Sequence, residues 1–174
     1  MTNEQMRWLL KVIQPERTLA SLPGGAGLSQ ETHAALLGLP SAAPAVNAVN
    51  LKVPDVTELT HIVGAPELTL TYSGKGTAKH VYAQIVDDST GLVLGNQATP
   101  IPVVLDGQSR TVTFSLEQVA HTLKPGQSVT VQVVTSTFKY LNFYSWGSVD
   151  VEGMSISLPT REAAVASVGR VSAA

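Results

Sequence analysis

The sequence predicts an all-β fold, a sandwich of about eight antiparallel strands in two sheets, and three observations carry that prediction. The stretch from Tyr72 to Gly107 alternates, with Val81, Ala83 and Ile85 interleaved with Tyr82 and Gln84, the period-two signature of a strand with two different faces. Val, Thr, Leu, Ser and Gly outweigh Lys, Glu and Arg, a balance that suits a pleated, half-buried surface better than a helix. Short apolar runs recur at turn-spaced intervals from Asn50 to Leu158. With 44% apolar and 14% charged residues over 174 positions, the chain has material for one core of ordinary size and is not disordered at large.

Taken in order, Asn3 can cap a short helix in which Met6, Leu9, Leu10 and Ile13 recur at three- and four-residue steps until Pro15 ends it. Such a helix of about three turns is marginal alone in water, so its apolar stripe needs a partner. LPGGAG breaks the chain, QETHAALLGLP after Ser29 reads as one or two more helical turns, and PSAAPAVNAV has the composition of an extended linker. Residues 1–49 are therefore expected to form a helix-bearing arm and linker, and residues 50–159 the sandwich.

Within the sandwich, LKV, TELTHIV and PELTLTY open the strands, the last with Leu68, Leu70 and Tyr72 on one face. The Tyr82 strand follows, and Asp87-Asp88-Ser89-Thr90-Gly91 supplies the residues of a hairpin turn. Pro100 and Pro102 around Ile101 place IPVVL at a sheet edge, where a missing N–H costs nothing. RTVTFSL is the next strand, and Leu116, Val119, Ala120 and Leu123 then fall at helical spacing before Lys124-Pro125-Gly126, predicting a helical turn across one end. QSVTVQVVTST and SVDVEGMSISL complete the set, Gly153 breaking the alternation of the last as a bulge would. Residues 160–174 show no apolar face and read as a tail.

Several kinds of chemistry are not expected. Eleven basic against 13 acidic residues give a net charge of −2 and no clustered cations to displace counterions, so nucleic acid is not an expected partner. No 18-residue apolar segment predicts membrane insertion, and the first residues lack the pattern of a secretory signal, so cytoplasmic synthesis is the expectation. There is no cysteine for disulfide or thiolate chemistry. His33, His61, His80 and His121 sit in separate elements without ligand spacing. Asp87, Asp88 and Asp106 could offer hard oxygens to Ca²⁺, but turn chemistry is the stronger reading because these acidic pieces run into glycine. No catalytic residue, metal or cofactor is expected.

The densest functional signal is FKYLNFYSW, which places Phe138, Tyr140, Phe143, Tyr144 and Trp146 in a loop between the last two strands. Aromatic rings with polar tips anchor interfaces, stack on sugars, or cap the end of a core, and all three roles are open.

From roughly Pro66 to Pro159, through LTLTYSGKGTAKHVYAQIVDD, RTVTFSL and the closing SISLPT, the chain resembles the carboxy-terminal domain of CocE/NonD-type serine hydrolases, the X-prolyl dipeptidyl peptidase relatives. That resemblance implies a jelly roll akin to galactose-binding and other carbohydrate-binding sandwiches, packed in the family beside an α/β-hydrolase domain. No G-x-S-x-G nucleophile elbow occurs here, so no catalytic residue carries over and the chain is not expected to be an enzyme. A looser, architectural resemblance is to the decoration and minor capsid proteins of tailed bacteriophages. The expected function is structural: an oligomeric accessory protein of a larger assembly such as a virion, docking on the major capsid protein or other subunits through Met6, Leu9, Leu10, Ile13 and the 138–146 aromatics. The alternative is a carbohydrate-binding module associated with a serine hydrolase, with surface glycan as its partner.

Overall fold

A computed structural model describes residues 7–12, 17–21, 48–137, 140 and 145–162. Among the described residues, twelve strands build two antiparallel sheets. The larger contains β1 (Arg7–Val12), β2 (Arg17–Ser21), β4 (Thr60–Gly64), β5 (Glu67–Gly76), β9 (Arg110–Ser115), β10 (Val119–Leu123) and β12 (Gly147–Glu162), in the order β10-β4-β12-β5-β9 with β1 and β2 also on β12. The smaller contains β3 (Ala48–Lys52), β6 (His80–Asp87), β7 (Leu92–Val93), β8 (Thr99–Pro102) and β11 (Val129–Val134), in the order β3-β11-β6, with both β7 and β8 on the outer edge of β6. The chain passes repeatedly from one sheet to the other, and the two inner faces close on one core. This is the jelly-roll sandwich expected from the sequence, with more strands.

The core follows from the alternation. Leu68, Leu70 and Tyr72 of β5, Val149, Val151, Met154, Ile156 and Leu158 of β12, and Ile62 of β4 face Val81, Ala83 and Ile85 of β6, Val129, Val131 and Val133 of β11, and Val49 and Leu51 of β3. Tyr72 is fully buried, and its hydroxyl accepts the Val104 amide at 3.0 Å, so the large ring enters the core without an orphaned polar end. The hairpin at 87–91 is present: Asp87 ends β6, Leu92 faces it across the turn, and Gly91 takes φ 71°. β8 lies at the sheet edge with its two prolines, and the register of β12 against β5 slips between Val151 and Gly153 as a bulge.

Two helical expectations are overturned. Arg7–Val12, which includes Leu9 and Leu10, is a strand in register with β12, Arg7 opposite Pro159 and Val12 opposite Met154. Val119–Leu123 is likewise a strand, running antiparallel to β4, and its exposure alternates along the chain. In both places three- and four-residue spacing of apolar side chains is overridden by an available strand edge. A ladder bond to β12 or β4 satisfies each backbone group, whereas a short solitary helix stabilises itself poorly. Met6 and Ile13 lie outside the described residues, as does the helical segment expected after Ser29. β3 opens at Ala48 and β12 runs on to Glu162.

Candidate binding site

Two polar-aromatic features lie on the outer face of the smaller sheet and at one end of the sandwich. The strands of that sheet are apolar on both faces in places, so the outer residues of β6 and β11 are buried as well as the inner ones. Cross-strand register sorts them into rows. Ala48, Val134 and Tyr82 form one row, which continues to Pro100 on β8. Asn50, Gln132 and Gln84 form the next.

The first row carries the aromatic site. Tyr82 is buried and stacks on Tyr140, with ring centroids 5.1 Å apart and planes 11° from parallel. Burial, and then the neighbouring Tyr140, push the Tyr82 phenol above its usual range. Tyr140 is tethered through its own amide, which donates to the Thr137 carbonyl at 3.1 Å, and it remains 40% exposed. Trp146, 56% exposed, sits where β12 begins, its carbonyl accepting the amides of Thr77 and Ala78 on the link from β5 to β6. Because β5 ends and β6 begins at this end of the sandwich, Trp146 and the Tyr82–Tyr140 pair belong to the same end. Phe138, Phe143 and Tyr144 lie outside the described residues.

The second row is an amide chain that the sequence reading missed. Gln84 Nε2 donates to Gln132 Oε1 at 2.6 Å, and Gln132 Nε2 donates to Asn50 Oδ1 at 2.9 Å. Gln84 and Gln132 are 2% and 1% exposed. Gln84 Oε1 is buried and meets no donor among the described residues. The signal available in the sequence was the matching placement of one amide in two doubly apolar strands, VYAQIV and VTVQVV.

The other candidates resolve into local structure. Arg110 grips Asp106 with its two terminal guanidinium nitrogens and, with the Gln108 amide, holds its carboxyl down at about 2. Asp88 accepts the hydroxyls of Ser128 and Thr130, each at 2.7 Å. Asp87 accepts the amide and hydroxyl of Ser89, and His121 of β10 reaches its other oxygen at 3.6 Å from the opposite sheet. These carboxylates are engaged in turns and cross-strand contacts, and among the described residues no three His, Asp or Glu side chains gather as a metal site. His61 pairs with the Thr122 hydroxyl at 2.9 Å and His80 is exposed at the start of β6, while His33 lies outside the described residues.

Asp87 makes a pH prediction. Burial pushes its carboxyl up, but the Ser89 hydroxyl and amide, the Thr90 hydroxyl and the His121 ring together leave it below the ordinary value. A carboxyl depressed on folding contributes stability in full above the unfolded value, about pH 4, and loses it as pH falls through the folded one. Asp87→Asn is therefore expected to lower the unfolding midpoint at pH 7, with the gap from wild type closing below about pH 4. A gap that stays constant from pH 7 to pH 3 in thermal melts would show that the charge contributes nothing.

No family model matches the chain, and no curated protein sequence matches it. Solved structures share its fold. An α-amino acid ester hydrolase superposes with a TM-score of 0.54 at 20% identity, covering 84% of this chain and 32% of that one. An aminopeptidase from a marine sediment archaeon, Thaumarchaeota archaeon, superposes with a TM-score of 0.57 at 16% identity, covering 87% of this chain and 34% of that one. A CocE/NonD family hydrolase from Staphylococcus aureus follows more loosely, with a TM-score of 0.49 at 13% identity over 82% of this chain and 37% of that one. The chain thus spans about a third of the length of the first two enzymes. What it shares with them is the jelly-roll fold.

Proposed function

We propose that this chain is a non-catalytic accessory module of the carbohydrate-binding type that works beside a hydrolase. The observation that carries this reading is the exposed aromatic end of the sandwich, where Tyr140, backed by Tyr82, and Trp146 are held by backbone hydrogen bonds with large apolar surfaces open to solvent. An aromatic ring offered in this way suits the C–H face of a sugar ring, and rings fixed before binding lose little freedom when they bind. Two fold neighbours are an ester hydrolase and an aminopeptidase, each about three times the length matched here, which supports service to a hydrolase. Lacking a nucleophile elbow in its sequence, the chain has no evident means of catalysing that hydrolysis itself. The virion role expected from the sequence has no counterpart among these neighbours, and the accessory-module reading takes its place.

The test is retention of the purified chain on immobilised neutral oligosaccharides. Trp146→Ala and Tyr140→Ala are each expected to cost about 2 kcal/mol of binding, roughly a thirtyfold loss, as aromatic anchors at the centre of an interface do. Both side chains are partly exposed, so unfolding midpoints are expected to change little. Retention that is unchanged in both variants would remove these rings from the function.

A further inference from the structure

We propose that the free edge of β9 pairs with the same edge of a second copy of this chain, joining the two larger sheets across a two-fold axis into one continuous antiparallel sheet. β9 is bonded to β5 on one side, and among the described residues no strand lies along its other side. Such an edge offers unpaired N–H and C=O groups to any strand that fits, and proteins ordinarily guard it with prolines, charges or short length. Among the described residues, β8 carries Pro100 and Pro102, β10 runs into Lys124 and Pro125 after five residues, and β3 is buried along most of its length and ends on Lys52. β9 has none of these devices. Its six residues, Arg110-Thr111-Val112-Thr113-Phe114-Ser115, include no proline and make an unbroken ladder with β5, and the one charge, Arg110, is held within the chain by Asp106.

The order of side chains along the strand selects a second copy as the occupant. Directly opposed residues of an antiparallel pair share a face, so a two-fold between identical strands must centre on a residue. Centred on Thr113, the pairing sets Thr113 against its own copy, Thr111 against Ser115 and Val112 against Phe114. On the outer face this lengthens the hydroxyl rows in which Thr69 meets Thr113 at 3.0 Å and Thr71 meets Thr111 at 2.9 Å. On the inner face, Val112 and Phe114 pack on the core yet are only half-buried, and the second copy completes their burial in two aromatic–β-branched pairs. An isologous contact brings each patch against itself. Thr111 to Ser115 carry no charge, so no like charges meet. The paired stretch is five residues a side, a small contact, and the dimer is expected to form and dissolve with concentration. Because Arg110 lies opposite Tyr72, toward the Gly76 end of β5, antiparallel pairing turns the two aromatic ends away from each other.

The experiment is sedimentation velocity of the purified full chain over a concentration series. The wild type is expected to move from 18.3 kDa toward twice that mass as concentration rises. Thr113 is exposed in the single chain, so Thr113→Lys and Thr113→Glu are expected to fold, which thermal melts of the dilute proteins check. Each variant sets two like charges face to face on the axis and is expected to raise the dimer Kd about fivefold to tenfold. Their equimolar mixture sets Lys against Glu and is expected to recover the dimer. Trp146→Ala is expected to leave association unchanged. A wild type that stays monomeric throughout would leave this edge to a strand of another protein and overturn the self-pairing. So would a dimer that persists equally in both Thr113 variants, one that mixing does not recover, or one that Trp146→Ala abolishes. Failure to bind glycan, by contrast, would leave the dimer standing.

Discussion

Gly76→Ala is expected to cost the domain about 3–6 kcal/mol, summing left-handed strain and a backbone clash. That is a large part of the roughly 5–15 kcal/mol that holds an ordinary domain folded, and insoluble protein or a fall in melting temperature of 10 °C or more, roughly, is the expected outcome. Gly76 closes β5 opposite Gly147, the first residue of β12. It holds φ at 153°, and a Cβ there would stand 2.5 Å from the Gly147 Cα. Neither backbone can yield, because Gly76 donates to the Leu105 carbonyl and the neighbouring Thr77 and Ala78 amides bond the Trp146 carbonyl. The control is Gly126→Ala. Gly126 also has positive φ, 81°, but a Cβ there meets nothing within 4 Å. Strain alone should cost it about 1–2 kcal/mol. Equal losses in the two variants, measured by urea unfolding, would mean that the close approach of β5 and β12 is not what requires glycine.

The second large effect is expected from Gln132→Ala, at about 2–4 kcal/mol. Gln132 is the middle of the amide row, and its removal takes an acceptor from Gln84 and a donor from Asn50 while opening space on a buried face. Each buried polar group deprived of a partner accounts for about 1–3 kcal/mol, the half-buried Asn50 at the low end. Gln132→Leu fills the space but not the bonds, and is expected to fall between Gln132→Ala and wild type. Thr113→Ala gives the scale of a pair in water. Thr113 shares a 3.0 Å hydroxyl contact with Thr69 on the exposed face of the larger sheet, and should cost no more than about 1 kcal/mol. Were Gln132→Ala as mild as Thr113→Ala, with unchanged m-values in urea, the amide row would not be the buried chain described above.

The sheets were legible where one face is apolar and the other polar. Val81, Ala83 and Ile85 turn inward as their spacing indicates, Asp87 to Gly91 makes the turn, Pro100 and Pro102 stay at an edge, and Gly153 marks the slip in β12. Reading failed at Arg7–Val12 and Val119–Leu123 because a short window shows helical spacing but not the strand edge waiting elsewhere in the chain. It failed again at Gln84 and Gln132. A polar residue in an alternating strand is ordinarily assigned to solvent, and only the cross-strand register shows that the two amides meet on a buried face. The aromatic cluster was visible as a cluster, but what the fold adds is that Tyr140 rests on Tyr82, 58 positions earlier in the chain, while Trp146 is anchored to the link between β5 and β6.

The central claim is that the sandwich binds sugar through its exposed aromatic end and performs no hydrolysis. One preparation of the purified chain, divided between a glycan array and a generic ester substrate, addresses it most directly. The account predicts saturable binding to at least one neutral glycan, lost in the Tyr140→Ala/Trp146→Ala double variant, and no ester turnover above buffer. Binding to no glycan, or turnover abolished by substitution of a single serine, would contradict it.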